Sequence, residues 1–207
     1  MNDWKNVKLG EVFDIGSSKR VHKKDWADSG VPFYRAREIV KLAQNGFVDN
    51  ALFITEELFE QFEKKTGSPK AGDLMVTAVG TLGICYLVKP EDRFYFKDAS
   101  VLWFRPKTEI NTRYVEYLFQ SPDIIEQSND NQGATVGTLT ISRAKDMEIP
   151  LPPLDEQDRI VSTLDGLKRQ TQQLEALYKE NLKSIGELKL SLLQKAFTGE
   201  LTKGISR

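Results

Sequence analysis

Ile149-Pro150-Leu151-Pro152-Pro153-Leu154-Asp155-Glu156-Gln157-Asp158-Arg159-Ile160-Val161 is the stretch at which this sequence changes character. Its three prolines hold φ and remove backbone donors, so the segment reads as an extended, stiff connector that cannot be helix interior. Asp155 can cap a helix immediately afterwards, and Glu156 and Asp158 fall in a first turn, where the helix dipole favours acids. A domain boundary is expected here, with a globular region over residues 1–150 and an arm over residues 151–207.

Downstream of the prolines, apolar residues recur at alternating spacings of four and three. The seam reads Ile160, Leu164, Leu167, Thr171, Leu174, Tyr178, Asn181, Ile185, Leu188, Leu192, and eight of these ten positions are apolar. A seven-residue period sustained over this length predicts a coiled coil, because an ordinary surface helix drifts off a 3.5-residue repeat. A helix from about 156 to 196 would be about 60 Å long at 1.5 Å per residue. Nothing upstream is sized to cover it, so it needs a partner helix. Gly166 and Gly186 each cost about 1 kcal/mol relative to Ala inside a helix, so association has to hold the arm together. Thr171 and Asn181 are polar intrusions of the kind that set register; simple accommodation at a loose seam is the other reading.

Upstream, short elements alternate without a regular βα rhythm, which predicts an α+β domain. Val7–Ile15 reads as a strand or short helix and Val31–Arg35 as extended. Thr55 is a plausible N-cap for a helix over Glu56–Lys65 that turns Leu58, Phe59 and Phe62 to a core and stops at Gly67. Leu74–Val79 and Ile84–Val88, separated by Gly80-Thr81-Leu82-Gly83, predict a buried hairpin. Phe94–Phe104 is strand-like, and Thr112–Gln120 has helical spacing ended by Ser121-Pro122.

The composition narrows the function. The 207 residues allow one domain plus an extended element. No run approaches the roughly 18 apolar residues of a membrane span, and the N-terminus lacks a signal-peptide core, so a cytoplasmic protein is expected. The single cysteine, Cys85, lies in an apolar run and reads as buried and structural. With 29 Lys+Arg against 30 Asp+Glu the net charge is −1, and residues 1–150 hold 20 basic and 22 acidic side chains, so any nucleic-acid affinity must come from a local basic surface or from partner subunits.

Catalytic readings lack their residues. The one histidine, His22, permits neither a His triad nor a His metal cluster, and there is no phosphate-cradling Gly-x-x-x-x-Gly-Lys-Ser/Thr loop. Leu151-Pro152-Pro153-Leu154 has neither the polar group nor the aromatic ring with which amino-methyltransferases hold a flipped base. Asp49 with Glu63-Lys64-Lys65 resembles a nuclease spacing, but it falls among the acids of an amphipathic helix and reads as a solvated face.

A binding constellation remains. Ser17, Lys19, Arg20, Lys23 and Lys24 belong to a segment with four basic side chains and no acid, suited to phosphate contacts. Arg35 and Arg37, two apart on an extended segment, would share a face and could read guanine or else pair with Glu38. The tetrapeptide Val79-Gly80-Thr81-Leu82 recurs as Val136-Gly137-Thr138-Leu139, preceded by Thr135. Glycine allows close approach, and threonine offers both a hydroxyl and a methyl to a base edge; plain turn chemistry is the alternative. Arg143 and Lys145 follow the second copy. A DNA-acting enzyme fragment, nuclease or methyltransferase, and a coiled-coil adaptor that binds protein are the competing classes.

Four segments in order resemble the specificity (S) subunits of type I restriction-modification systems: Trp4–Ile15 resembles the domain opening, Ala71-Gly72-Asp73-Leu74 with Gly80-Thr81-Leu82-Gly83 the mid-domain strand and loop, Ile149–Val161 the passage into the spacer helix, and Leu192–Leu201 the helix end. The resemblance implies a non-catalytic, DNA-binding target-recognition domain followed by a long coiled-coil helix. It implies double-stranded DNA and methylation (M) subunits as partners, with a restriction (R) subunit where cleavage is coupled to recognition. No cofactor is expected on this chain; S-adenosylmethionine, ATP and Mg²⁺ would sit on the partner subunits. Usual members carry two recognition domains and two spacers, whereas this sequence has one of each and looks like a half-unit. Two copies with antiparallel arms would place one reader at each end and predict inverted-repeat half-sites.

Overall fold

A computed structural model describes residues 4–49, 52–129 and 137–201. The chain divides into two compact units, Met1–Val161 and Ser162–Arg207. In chain order the elements are β1 (Lys5–Lys8), α1 (Leu9–Val12), β2 (Phe13–Gly16), β3 (Trp26–Ala27), β4 (Val31–Tyr34), α2 (Ala36–Asn45), β5 (Leu52–Ile54), α3 (Glu56–Thr66), β6 (Leu74–Thr77), β7 (Cys85–Leu87), β8 (Tyr95–Phe96), β9 (Val101–Pro106), α4 (Thr112–Leu118), α5 (Pro122–Asn129), α6 (Ile141–Asp146), β10 (Glu148–Leu151) and α7 (Leu154–Phe197). The fold is a mixed helix and strand domain followed by one long helix.

Two four-stranded sheets form the first unit, one ordered β2-β9-β6-β7 and the other β3-β5-β4-β8. The first is antiparallel throughout, and in the second β4 and β8 run parallel. Its two central strands are apolar on both faces, and the period of two divides their side chains between cores. Leu74, Val76, Leu102 and Phe104 enter the larger core; Met75, Val101 and Trp103 enter a second one with Ile39 and Phe96. A third core gathers Val31, Phe33, Ile54, Phe59 and Tyr95.

Local chemistry accounts for several elements. Thr55 Oγ1 accepts from the Leu58 amide at 3.3 Å and starts α3, whose Phe59 is buried and whose Leu58 and Phe62 pack at the margin of the third core. Gly67, at φ 82, ends it. The hairpin forms between β6 and β7, led in by Gly72 at φ 92 and by Asp73, whose carboxylate accepts from the Lys70 amide at 2.9 Å and the buried Trp103 indole at 2.7 Å. Cys85 is buried, and that burial pushes its thiol pKa well up.

The structure departs from the sequence reading at three places. Ile149–Leu151 is not a free connector: β10 pairs antiparallel with β1, setting Val7 against Ile149 and Asn6 against Pro150. Pro150 has no amide to donate, but its carbonyl accepts from Tyr114 Oη at 2.8 Å, and Ile149 is buried. Asp155 is not the cap of α7, because the Pro153 carbonyl accepts from the amides of Glu156 and Gln157, both at 3.0 Å. The helix ended by Ser121-Pro122 does stop there, α4 closing at Leu118, and Pro122 opens the further helix α5 at its first position, where its missing N–H costs nothing. Arg37 is not on an extended segment; Arg35 is the N-cap of α2 and Arg37 lies in its first turn.

The Ile160 seam position also differs from its successors. Ile160 packs against the larger core and Val161 is buried in it, so the start of α7 is part of the globular unit. Buried Gln157 fastens it there: Oε1 accepts from the Asn111 amide and Nε2 donates to the Pro152 carbonyl, both at 2.9 Å.

Candidate nucleic-acid interface

The parallel pairing of β4 with β8 brings two strand ends together, and the Lys97 amide donates to the Tyr34 carbonyl at 2.7 Å. At Arg35 the chain turns into α2. Glu38, three residues into the helix, accepts from the Arg35 amide at 3.0 Å and from the Arg35 guanidinium at 3.0 and 2.9 Å. Arg37 Nε donates to the same carboxylate at 2.5 Å. Burial disfavours charge on Glu38, but these hydrogen bonds outweigh it and hold its carboxyl below the usual carboxylate range. The two arginines end in different states: the Arg35 side chain is 24% exposed and committed to Glu38, whereas Arg37 is 68% exposed. Arg37 is held through Nε, and its two terminal nitrogens, outside that bond, are the pair that can bond a guanine edge side by side.

Arg37 lines a cleft of about 340 Å³ with Ala36, Val40, Val79 and Thr81. The loop opposite the helix is shaped by Thr77, fully buried, whose hydroxyl donates to the Thr81 carbonyl and accepts from the Ile84 amide at 3.0 Å. Gly80 takes φ 79 with open space around the position of a Cβ, so its role is conformational. The described part of the second copy of the shared tetrapeptide, Gly137-Thr138-Leu139, lies alongside: Val79 and Thr138 form an antiparallel bridge, and the Leu139 amide donates to the Ala78 carbonyl at 2.9 Å. Two segments almost sixty residues apart in the chain thus become one edge. Thr81 and Thr138 are exposed there. Thr135 lies outside the described residues.

The basic segment is stapled to the same neighbourhood. Ser17 Oγ donates to the Val101 carbonyl at 3.1 Å and accepts from the Ala99 amide at 3.3 Å. Ser18 Oγ donates to the Phe96 carbonyl at 2.7 Å, and the Lys19 amide donates to Tyr95 Oη at 2.9 Å. The β8–β9 turn that receives these bonds also accepts the Ala78 amide through the Ser100 carbonyl at 2.9 Å. It therefore links the basic segment to the cleft loop. Lys19, Arg20, Lys23 and Lys24 are exposed and form no ion pair among the described residues, with Lys23 and Lys24 in a short 3-10 turn.

Arg143 and Lys145 are engaged elsewhere. Arg143 Nη2 donates to the Gln127 carbonyl at 2.6 Å, and Lys145 lies over Gly10, where an added Cβ would stand 2.9 Å from its own. The sequence reading offered Glu38 as a pairing partner for Arg35 and Arg37, and both arginines do bond it; its second role, half of a capping box at the third helical position, was not drawn, and Lys97 and Thr77 were missed. Those two carried no signal, because their placement depends on strands that pair across the chain.

In the second unit, Leu164 is partly buried and every later seam position is exposed: Leu167 55%, Leu174 53%, Tyr178 64%, Ile185 63%, Leu188 59% and Leu192 47%, with Thr171 and Asn181 among them. The stripe is a long run of apolar surface left in solvent by the chain on its own.

The family described as type I restriction modification DNA specificity domain matches residues 1–184. A Haemophilus influenzae protein provisionally described as a type I restriction enzyme specificity subunit is 32% identical over 169 residues, covering 81% of this chain and 41% of its own. The Escherichia coli EcoBI specificity subunit is 27% identical over 151 residues, covering 72% and 31%. Among solved structures, the HsdS subunit of Thermoanaerobacter tengcongensis superposes with a TM-score of 0.64 at 20% identity, over 95% of this chain and 45% of that one. A chain from a type I R-M system superposes with a TM-score of 0.71 at 21% identity, over 94% and 45%. This chain thus spans less than half the length of each.

Proposed function

The chain belongs to the type I restriction modification DNA specificity domain family, and from that premise we propose that it reads target DNA for a type I restriction-modification complex in the cytoplasm. Residues 1–150 are the reader, and residues 151–207 are the spacer that sets its distance from a second reader. The observation that carries this reading is a cleft lined by Arg37 and Thr81, with Thr138 bridged to its Val79 and hydrogen bonds of the β8–β9 segment linking its loop to a basic segment. Side chains able to read base edges are thereby tied into one framework with side chains able to hold phosphates, the two contact classes that site-specific binding needs. The chain performs no chemistry itself. Methylation subunits carrying S-adenosylmethionine flip and modify the base, and a restriction subunit would bring ATP and Mg²⁺. Two copies with antiparallel arms present two readers to an inverted, bipartite site.

The test is to co-express the chain with its methylation subunit and to map modified sites by sequencing. Methylation at one defined bipartite site is expected. Arg37→Ala should relax preference at one position by about 1–3 kcal/mol of discrimination. Lys23→Ala with Lys24→Ala should weaken binding on all sequences and lower the salt slope by about 2. Methyl transfer or cleavage by the purified chain alone would overturn the proposal, as would a stable complex that modifies no defined site.

A further inference from the structure

Beyond Val161, α7 holds its apolar seam in solvent, interrupted by Thr171 and Asn181. We infer that this arm pairs with a second copy in one register, set by Thr171 of each copy facing Asn181 of the other. The inference rests on the antiparallel dimer proposed above and gives that dimer an axis and an alignment.

In an antiparallel pair each seam layer combines a residue from one half of the heptad with a residue from the other half. Setting Thr171 opposite Asn181 satisfies that rule and places a two-fold axis between Leu174 and Tyr178, which then face each other. Moving outward, Leu167 meets Ile185, and every remaining layer is apolar against apolar. A shift of one heptad sets Asn181 against Leu164 or Tyr178 and Thr171 against leucine, which separates both Asn181 amides from the Thr171 oxygens that this register pairs with them. The chemistry of the pair fits. Thr171 Oγ1 already donates to the Leu167 carbonyl at 3.0 Å, so its oxygen is left to accept from the Asn181 amide.

Two further observations agree, and neither was used to set the alignment. The helix runs Leu154–Phe197, and in this register its start lies level with its partner's end, so the two arms overlap along their whole length. The charge also runs in opposite senses along the arm. In the first half Asp155, Glu156, Asp158, Asp165 and Glu175 outnumber Arg159, Lys168 and Arg169, whereas in the second half Lys179, Lys183, Lys189 and Lys195 outnumber Glu180 and Glu187. Antiparallel copies bring acidic start to basic end; parallel copies would set like against like. Self-complementarity of this kind identifies the occupant as a second copy of this chain.

Single-cysteine variants of the full chain, treated with a short bismaleimide, test the register; Cys85 is buried and stays out of the reaction. Leu177, 52% exposed on the seam's flank, meets its own copy at the axis, so Leu177→Cys should yield a covalent dimer. Gln170→Cys alone should not, whereas Gln170→Cys mixed with Ser184→Cys should. Self-linking by Leu188→Cys would reveal parallel arms, and linking of Gln170→Cys with Leu177→Cys a shifted register; either overturns the inference. Thr171→Leu with Asn181→Leu should make both registers link, and an unchanged pattern would show that the polar pair does not set alignment. Methylation by the assembled wild-type complex is scored in parallel. Wrong links with site-specific methylation intact sink the register alone; no link with methylation intact sinks self-pairing; no methylation sinks the functional reading.

Discussion

Glu38 shows how one buried carboxylate prepares a surface for work. It takes three hydrogen bonds from Arg35 and one from Arg37, fixing the first arginine and leaving the outer edge of the second exposed beside the cleft. Its folded pKa lies below its unfolded one, so the stabilisation is fully present above the unfolded value of about 4.3 and is lost as pH falls through the folded value. Glu38→Gln should therefore cost about 1–3 kcal/mol near neutrality and flatten the acid limb of thermal stability against pH. Differential scanning calorimetry across that range checks it, and an unchanged acid limb would mean that other carboxylates dominate.

At the scale of elements, the junction between domain and arm is the instructive case. The prolines and the acidic first turn announced a helix start, but the clasp that holds it is Gln157, buried and bonded to both Asn111 and Pro152. Removing that amide leaves a buried amide donor and a carbonyl acceptor unpaired. Gln157→Ala is expected to destabilise the globular unit by about 1–3 kcal/mol in urea unfolding, with the helical content of the arm retained. The α3 cap at Thr55, the stop at Gly67 and the β6–β7 hairpin were legible because capping, breaking and tight turns act between near neighbours. α2 was missed because Arg35 is a poor N-cap by type, and its start depends on Glu38 reaching back.

For the whole molecule, the proposed pairing rests on the exposed stripe along α7. Leu174 and Leu188 are 53% and 59% exposed, so aspartate at both should leave a folded chain while placing charge inside the seam. Light scattering should find a dimer for the wild type at tens of micromolar and a monomer for the double variant. A monomeric wild type would defeat the arm pairing. With a net charge of −1 the chain contributes little general attraction for DNA, and its affinity in a complex should follow the local basic segment.

From the residues alone came the long arm, its seam, the α+β character of the first region and the shortage of catalytic groups, since periodicity and residue inventory are properties of the chain itself. Tertiary structure alone decided that Val79 and Thr138 share an edge, that β10 closes on β1, and that Arg37 rather than Arg35 faces the cleft. Such neighbours are chosen by which distant strands pair and which faces share a core. That choice minimises exposed apolar surface over the entire domain and leaves no local trace at the residues it brings together.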